Sequence, residues 1–410
     1  MRRLVEIAER WKYPSILLFG IGLSNVGAWI YFIALNLIVL DMTKSPLALS
    51  ILYIIRPVAG LVANVWAGSV VDRMNKKHIM VVLDVFRALL LCILPFTDSI
   101  WIIYSVTLIV KIASHVFGNA SFIYITQLIP EEQRPRFNSL NSLLSSGAFL
   151  IGPAIAGLLF LIGTPGFAIM MNAAALFVSG MITTIMPNVD SERFRTASSQ
   201  PLLSLSVLKE DFVTVRAFYR TNRSVMAMCM LFGGLMVVMA SSVDSLEAAF
   251  ATIELGLLGS EYGMLVSIAG AGIVAGAVLN TLIVNKLTPF SLIGMGVMGN
   301  CLGYCIYAFS YTYFSASVGF FVLAFFLAFA NTGFMTFYQK NVPIEIMGRV
   351  GSLNGLIESV LTIIITFLFG IWAEAVTLRP VVVSGVFIML LLGVMIATLS
   401  AKLSAKPMEA

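Results

Sequence analysis

Long apolar runs separated by short polar breaks dominate the sequence. Twelve runs are long enough to cross a hydrocarbon core, which needs about 20 apolar residues per helix. Because a backbone in lipid must satisfy its own hydrogen bonds, each run predicts a transmembrane helix. The predicted spans are 15–40, 46–71, 77–96, 100–127, 137–161, 165–187, 222–251, 260–285, 290–310, 313–339, 350–372 and 380–402. The pattern predicts an all-α integral membrane protein.

The basic residues predict how these helices are oriented. Cytoplasmic loops carry an excess of Lys and Arg. If both termini are cytoplasmic, Lys44 and Arg379 are the only basic residues outside the spans that face the other side. We therefore expect cytoplasmic termini. Membrane orientation then accounts for the net charge of +5, and no nucleic-acid partner is expected.

Composition excludes a water-soluble globule, since 59% of the 410 residues are hydrophobic and 11% are charged. Residues 1–12 form a charged segment before a span longer than a signal-peptide core, so we expect no cleavable signal. No group of His, Cys and carboxylate residues has metal-ligand spacing, and neither a phosphate-binding loop nor a plausible Ser, His and Asp set occurs. We expect neither an enzyme nor a resident metal or cofactor.

An internal repeat divides the chain. Segments 130–157 and 343–370 agree at ten of 28 positions under a constant offset of 213 residues. Two six-helix units are the simplest account, with predicted bundles at 1–187 and 222–410 and a cytoplasmic linker at 188–221. An even number of helices per unit makes the units parallel. Transporters built in this way bind substrate near mid-membrane, at the interface between their repeats.

A charged turn, "GSVVDRMNKK", lies between the second and third spans. Gly68 lets a neighbouring helix approach closely, and Asp72 ends the second helix. The basic residues should hold the turn at an anionic membrane surface. Asn75 should tolerate a left-handed backbone. The residues of this motif are Gly68, Asp72, Arg73, Asn75, Lys76 and Lys77.

This turn resembles the GxxxDRxGRK signature of the major facilitator superfamily, and the twelve spans, the repeat and the long central loop resemble that family over the whole chain. "VPIEIMGRVGSLNG" and "IPEEQRPRFNSLN" look like the drug/proton antiporter branch, which includes macrolide efflux pumps and enterobactin exporters. "GAFLIGPAIAGLL" resembles the fifth-helix motif of exporters, through Gly152, Pro153 and Gly157.

The resemblance implies that Asp72 gates the cytoplasmic side by capping the eleventh helix near Gly351 and Ser352. The alternative is that the turn only anchors the topology.

Charged residues inside the spans indicate pairing or function, since each destabilises insertion by about 2.5–3.5 kcal/mol. Asp84 and Arg87, at i and i+3, suit a structural pair. Lys111 and His115 share a face that Asn119 continues, which predicts a helix facing a wet cavity. In the resembled family, the fourth helix lines the central cavity. His115 either relays protons or donates to a backbone carbonyl.

Two carboxylates, Asp244 and Glu247, lie at i and i+3 in the outer half of the seventh span. Carboxylates facing a cavity can exchange a proton against a substrate. The alternative is that the helix ends early and both lie in an external loop. Arg56, in the outer half of the second span, is expected to neutralise one of them. Glu358 in the eleventh span either faces the cavity or pairs with a basic group.

Aromatic and amide side chains recur at helical spacing in the first and tenth spans. Such a mixed lining suits a large amphipathic or aromatic compound. The alternative is helix packing plus interfacial aromatics. The residues are Asn25, Trp29, Phe32 and Asn36 in the first span, and Asn331, Phe334 and Tyr338 in the tenth.

Together these features predict a secondary transporter in the bacterial cytoplasmic (inner) membrane. We expect a monomer that exports hydrophobic or amphipathic small molecules, such as drugs or siderophore-like compounds, by alternating access. The proton gradient would drive it, with no other cofactor. Alternatives are a symporter or facilitator of the same fold, a lysolipid flippase, and a membrane sensor that binds a ligand without moving it.

Overall fold

The computed structural model describes residues 2–189, 205–283 and 286–404. Within these ranges every regular element is a helix, and short helical turns join some of the longer ones. The long helices are α1 Arg2–Thr43, α2 Pro46–Arg73, α3 Lys76–Leu91, α4 Ile100–Leu128, α5 Arg134–Ile162, α6 Pro165–Ile185, α7 Leu205–Thr221, α8 Arg223–Ser242, α9 Gly259–Ile283, α10 Pro289–Ala308, α11 Tyr313–Asn341, α12 Ile344–Ala375 and α13 Leu378–Ser404.

The predicted number of spans is confirmed: within the described ranges, twelve helices are long and apolar enough to cross a membrane. The exception among the long helices is α7, which lies in the predicted central connection. Most of the rest of that connection, residues 190–204, lies outside the described residues.

The start of the eleventh span was wrongly predicted. Helix α12 begins at Ile344, directly after Pro343, rather than at residue 350. Free backbone N–H groups occur only in the first turn of a helix. Gly351 and Ser352 lie beyond that turn, where N–H groups are bonded within the helix. They therefore offer no free N-terminus to a capping carboxylate, and the cap predicted at this place is wrong.

The chain divides into two compact units. The first comprises Met1–Met42 and Val58–Leu203, and the second comprises Thr43–Pro57 and Ser204–Ala410. Helix α2 is therefore shared, and the boundary within it falls at Pro57, which has no N–H to donate to the preceding turn. The predicted division into bundles at 1–187 and 222–410 stays a prediction.

In the first unit, α4 and α6 are joined at one end. Tyr124 is fully buried, and its hydroxyl donates to the carbonyl oxygen of Pro187 at 2.8 Å. Phe137 and Met186 belong to the same buried cluster. This packing holds the ends of α4, α5 and α6 next to the turn between α2 and α3.

That turn differs from its prediction at two positions. Asn75 has φ −67° and ψ 119°, and its side chain accepts a hydrogen bond from the His78 N–H at 3.0 Å. It caps α3 from an extended backbone, so the expected left-handed conformation is wrong. Lys76 is 2% exposed and does not lie at the membrane surface, whereas Arg73 is exposed. The side chains of Gly68 and Asp72 lie outside the described residues.

In the second unit, glycines bring α10 and α11 into close contact. A methyl group on Gly303 would lie 2.5 Å from the Cα atom of Leu323, and one on Gly319 would lie 2.8 Å from the backbone nitrogen of Tyr307. Small residues allow such backbone approach in membranes, where burial from water no longer drives helix association.

The first part of α2 is attached to α12 in the second unit. Glu374 accepts hydrogen bonds from the Ser45 hydroxyl at 2.6 Å and from the Leu47 N–H at 3.4 Å. A methyl group on Gly370 would lie 2.8 Å from the Ser50 side chain. Glu374 thus satisfies a free N–H at the start of α2 from another helix.

Candidate functional site

Helix α8 is interrupted where the two predicted carboxylates lie. Its last regular residue is Ser242, and Val243 departs from helical geometry at φ −119° and ψ −58°. A tight turn, a single α-turn and a π-turn then carry the chain to Glu254 within the same candidate span. Ser242 and Ser245 donate to carbonyl oxygens one turn back, both at 2.7 Å, which favours bending.

Both carboxylates at this break are bonded to buried tyrosines. The Tyr304 hydroxyl donates to Asp244 at 2.8 Å, and the Tyr262 hydroxyl donates to Glu247 at 3.0 Å. The Tyr307 hydroxyl donates to the Glu247 backbone oxygen at 3.1 Å. The three rings are at most 4% exposed. We call these five residues the carboxyl–tyrosine cluster.

Among the described residues, no basic side chain forms an ion pair with Asp244 or Glu247. Arg56 belongs to the same unit but is exposed, so its expected pairing with one of these acids is wrong. Arg379 pairs instead with Glu254, at 3.7 Å. The hydroxyl groups therefore satisfy both carboxylates without neutralising a negative charge on either.

Arg379 has a separate role at the end of the broken helix. Its guanidinium donates to the carbonyl oxygens of Ala308 and Ser310 at 3.1 and 2.8 Å. It also lies over the rings of Phe250 and Tyr311, at 5.0 and 4.2 Å from their centroids. These contacts join the π-turn, the end of α10 and the start of α13.

Glu358, the third carboxylate predicted as a candidate for proton coupling, lies against α8. A methyl group on Gly233 would lie 3.2 Å from the carboxyl carbon of Glu358, so the glutamate side chain packs directly on this glycine. Glu358 is half-buried, and it has no hydrogen bond or ion pair among the described residues. Glu358 faces Gly233, which follows Phe232 in the sequence, and the Phe232 ring stacks on Phe334 with centroids 4.0 Å apart and planes 3° apart. Glu358 and Phe334 thus contact consecutive residues of α8.

The other two α11 positions predicted to line a cavity lie on either side of Phe334. The Tyr338 ring centroid is 6.2 Å from that of Phe334, and its hydroxyl donates to the Met347 backbone oxygen at 2.7 Å. Asn331 is exposed. Tyr338 therefore helps to attach α11 to α12, while Phe334 is half-buried against Phe232, which is 5% exposed.

In the first unit, Asp84 and Arg87 form a buried ion pair. Asp84 also accepts a hydrogen bond from Ser179 of α6 at 3.0 Å. Arg87 donates to Ser114 of α4 at 3.2 Å and lies 4.4 Å from the Phe117 ring centroid. The pair joins α3, α4 and α6, so its contacts are those of a structural element.

The predicted polar face of α4 contacts two different helices. The Lys111 ammonium lies 5.8 Å from the centroid of the Tyr31 ring on α1. A methyl group on Gly60 of α2 would lie 3.2 Å from the His115 imidazole. Asn119 is exposed. Lys111 thus lies beside α1 and His115 beside α2, and their predicted role in proton coupling stays a prediction.

The stripe on α1 lies partly against α5. Asn25 donates to Ser145 at 3.3 Å, and the Trp29 ring lies 4.5 Å from that of Phe149. Phe32 is half-buried, whereas Asn36 is 1% exposed and its side-chain nitrogen has no hydrogen-bond partner within the described part of the chain. Asn36 therefore does not reach an open surface.

The motif assigned to exporters fits this contact between α1 and α5. A methyl group on Gly152 would lie 2.5 Å from the Trp29 Cβ atom and 3.2 Å from the Val26 carbonyl oxygen. Pro153 lies inside α5 and is buried, as is Gly157. Gly152 is needed where the two helices meet.

Sequence reasoning missed the tyrosines and Arg379. Tyr304 is 60 residues from Asp244, and Arg379 is 125 residues from Glu254. Neither pair shares a helix, so periodicity carries no signal for it. The one signal in the sequence was the presence of hydroxyl groups and a charged group within or beside other apolar spans, since buried polar groups in lipid need partners.

Comparisons with known proteins agree with this architecture. A family model described as "Major Facilitator Superfamily" matches residues 17–366. The MFS-type transporter YfiS of Bacillus subtilis (strain 168) is 23% identical over 366 residues, which cover 83% of this chain and 81% of YfiS.

Two solved structures show the same fold. The nucleoside transporter NupG superposes with a TM-score of 0.72 at 13% identity, covering 94% of this chain and 98% of NupG. A bacterial homologue of the iron transporter ferroportin superposes with a TM-score of 0.70 at 16% identity, covering 96% and 99%. Since the family model spans most of the sequence, the chain belongs to the major facilitator superfamily, and it is a multi-pass membrane transporter rather than an enzyme.

Proposed function

We propose that this transporter exports hydrophobic or amphipathic small molecules in exchange for protons, as a monomer in the bacterial cytoplasmic membrane. The carboxyl–tyrosine cluster is the observation that carries the proposal. Asp244 and Glu247 lie within a membrane span, bonded to tyrosine hydroxyls and without a basic partner among the described residues. Ionisable carboxyl groups within the membrane cost free energy of insertion, and such residues usually have a functional role. Proton uptake and release is a use that this arrangement supports.

The break in α8 gives the cluster a means of acting on the helix. Turns of 3₁₀ and π geometry inside a long helix often mark hinges or functional sites. A proton on Glu247 changes which hydrogen bonds its carboxyl group makes with Tyr262. Glu247 is also the first residue of the single α-turn. A change in its hydrogen bonds can therefore change the backbone geometry where α8 is interrupted.

The substrate contacts proposed in the second unit are Glu358 and Phe334, which meet consecutive residues of α8. A carboxylate and an aromatic ring suit a compound with an aromatic ring and a positive charge. Glu358 lies about 16 Å along α8 from the level of Asp244, at 1.5 Å per residue from Gly233. The proposed cargo and proton sites are thus separate levels of one helix.

Transport in everted membrane vesicles tests the proposal. With an acid interior imposed, vesicles that contain the wild-type protein should accumulate a cationic aromatic dye. One proton moving across 100 mV supplies about 2.3 kcal/mol, enough for more than a tenfold gradient. Collapsing the proton gradient with an ionophore should abolish accumulation.

Two conservative variants isolate the carboxylates. Asp244→Asn and Glu247→Gln keep an oxygen that can accept from the tyrosines but remove the exchangeable proton. At least one should lose proton-driven accumulation. Glu131→Gln, at an exposed carboxylate in the turn before α5, is the matched control and should behave as wild type.

Several results would contradict the proposal. Wild-type behaviour from both variants would remove the cluster from coupling. Net movement of the dye out of the vesicles, in the direction of proton flow, would identify a symporter. Substrate movement unaffected by the ionophore would identify a facilitator or a lysolipid flippase. Binding of the dye without any movement would identify a sensor.

A further inference from the structure

The first unit contains a long groove between α2, α3 and α4, with a volume of about 810 Å³. Most of its lining is apolar, and its polar groups gather at the turn between α2 and α3. The apolar lining residues are Trp66, Val70, Met74, Ile79, Val82, Leu83, Phe86, Ile109, Ile112, Ala113 and Val116. The polar ones are Arg73, Asn75, His78 and Asn188.

The groove has the length of one membrane leaflet. Its α3 wall runs from Asn75 to Phe86, which is about 16 Å at 1.5 Å per residue. The hydrocarbon core of a bilayer is about 30 Å thick, so one leaflet contributes about 15 Å. Val82 and Phe86 are 59% and 42% exposed, which leaves this wall open along the stretch that would lie at acyl-chain depth.

The polar end has the chemistry of a phosphate site. Arg73 and His78 are both exposed, and among the described residues that line the groove none is acidic. The Asn75 side chain is occupied as the cap of α3 and by a hydrogen bond to Asn188 at 2.8 Å. That leaves the Arg73 guanidinium and the His78 imidazole as donors for an incoming anion. Guanidinium groups bind phosphate with two parallel hydrogen bonds.

We propose that this groove binds an anionic phospholipid, with an acyl chain along α3 and the phosphate at Arg73 and His78. A soluble anion would leave the apolar part of the groove unused, and a zwitterionic lipid would gain less from the cationic end. The site shares no residue with the carboxyl–tyrosine cluster or with Glu358. Its existence therefore does not depend on the proposed transport cycle.

Trp66 reports on the groove directly, because it lies about 10 Å along α2 from Arg73 and is 40% exposed. The protein has five tryptophans, so a variant that retains Trp66 alone, with the other four changed to Phe, gives one signal. Vesicles would contain equal amounts of phosphatidylglycerol and phosphatidylcholine, with bromine on the acyl chains of only one of them. The bilayer composition then stays constant while the quencher moves from one lipid to the other.

Brominated phosphatidylglycerol should quench Trp66 more strongly than brominated phosphatidylcholine. Arg73→Gln should reduce that preference about fivefold, the ratio that corresponds to one basic side chain at an anionic surface. A variant that retains only Trp101, which is 74% exposed at the start of α4 and outside the groove, should show no preference.

Equal quenching of Trp66 by both lipids would overturn the proposal, as would a preference that survives Arg73→Gln combined with His78→Gln. A second measurement uses the unmodified protein in detergent, in case the single-tryptophan variants do not fold. Added phosphatidylglycerol should raise its melting temperature more than phosphatidylcholine, and Arg73→Gln should remove the difference. An equal rise with both lipids would refute a site for the anionic headgroup.

Discussion

Replacing Asp84 with alanine isolates the buried pair of the first unit. Asp84 is fully buried and accepts from Arg87 and Ser179, while Arg87 is 6% exposed. Removing one partner of a buried pair destabilises a protein by about 3–5 kcal/mol, because the other charge is left uncompensated. Arg87 would keep its contacts with Ser114 and the Phe117 ring. We therefore expect the free energy of unfolding to fall by about 3 kcal/mol, the lower limit of that range.

The assay is the free energy of unfolding in one detergent, from denaturant titration of purified protein. The matched control is the double variant Asp84→Ala with Arg87→Leu, which removes both charges and should recover most of the loss. The reasoning would be refuted if the double variant were less stable than Asp84→Ala alone. Transport per folded molecule should be unchanged in the double variant, since the pair contacts only helices of its own unit.

Two further substitutions test contacts in the second unit. Gly303→Val should greatly reduce the yield of folded protein in size-exclusion chromatography, because the new Cβ atom would lie 2.5 Å from the Leu323 Cα atom. The control Gly118→Ala should keep the wild-type yield, since no atom lies within 4 Å of the added methyl group. Equal yields from the two variants would contradict the packing argument. Arg379→Gln should lower the melting temperature, because the ion pair with Glu254 and the cation–π contacts are lost. Arg379→Lys should restore only part of that lost melting temperature, since an ammonium group cannot donate two parallel hydrogen bonds as a guanidinium group does. Full recovery by lysine would show that charge alone matters there.

The hydropathy of the chain was enough to predict the twelve spans, because a helix satisfies all backbone hydrogen bonds within one segment, as lipid requires. Helix ends were harder to predict. Helix α12 extends to Ile344 through residues that include Glu345 and Arg349, which a hydropathy reading assigns to a loop. The end of α8 was predicted only as an alternative, and the chain continues beyond it in irregular turns within the span.

The side-chain partners in the candidate site could not be predicted. Pairing of Asp84 with Arg87 follows from i, i+3 spacing on one helix. Pairing of Asp244 with Tyr304 depends on how α8 and α10 are rotated about their axes, which a single sequence does not specify. The conformation of Asn75 could not be predicted from the sequence either. An asparagine between two helices can adopt a left-handed turn or cap the second helix. Because α3 begins at Lys76, Asn75 is its N-cap.

The division of α2 at Pro57 has a consequence for dissecting the molecule genetically. A polypeptide that stops in the central connection would carry Ser45, Leu47 and Ser50 without the α12 groups that satisfy and cover them. The complementary polypeptide would present Gly370 and Glu374 uncovered. Two fragments divided in the long loop would thus split the second unit between them, and we expect them to restore activity only when both are present in the same membrane.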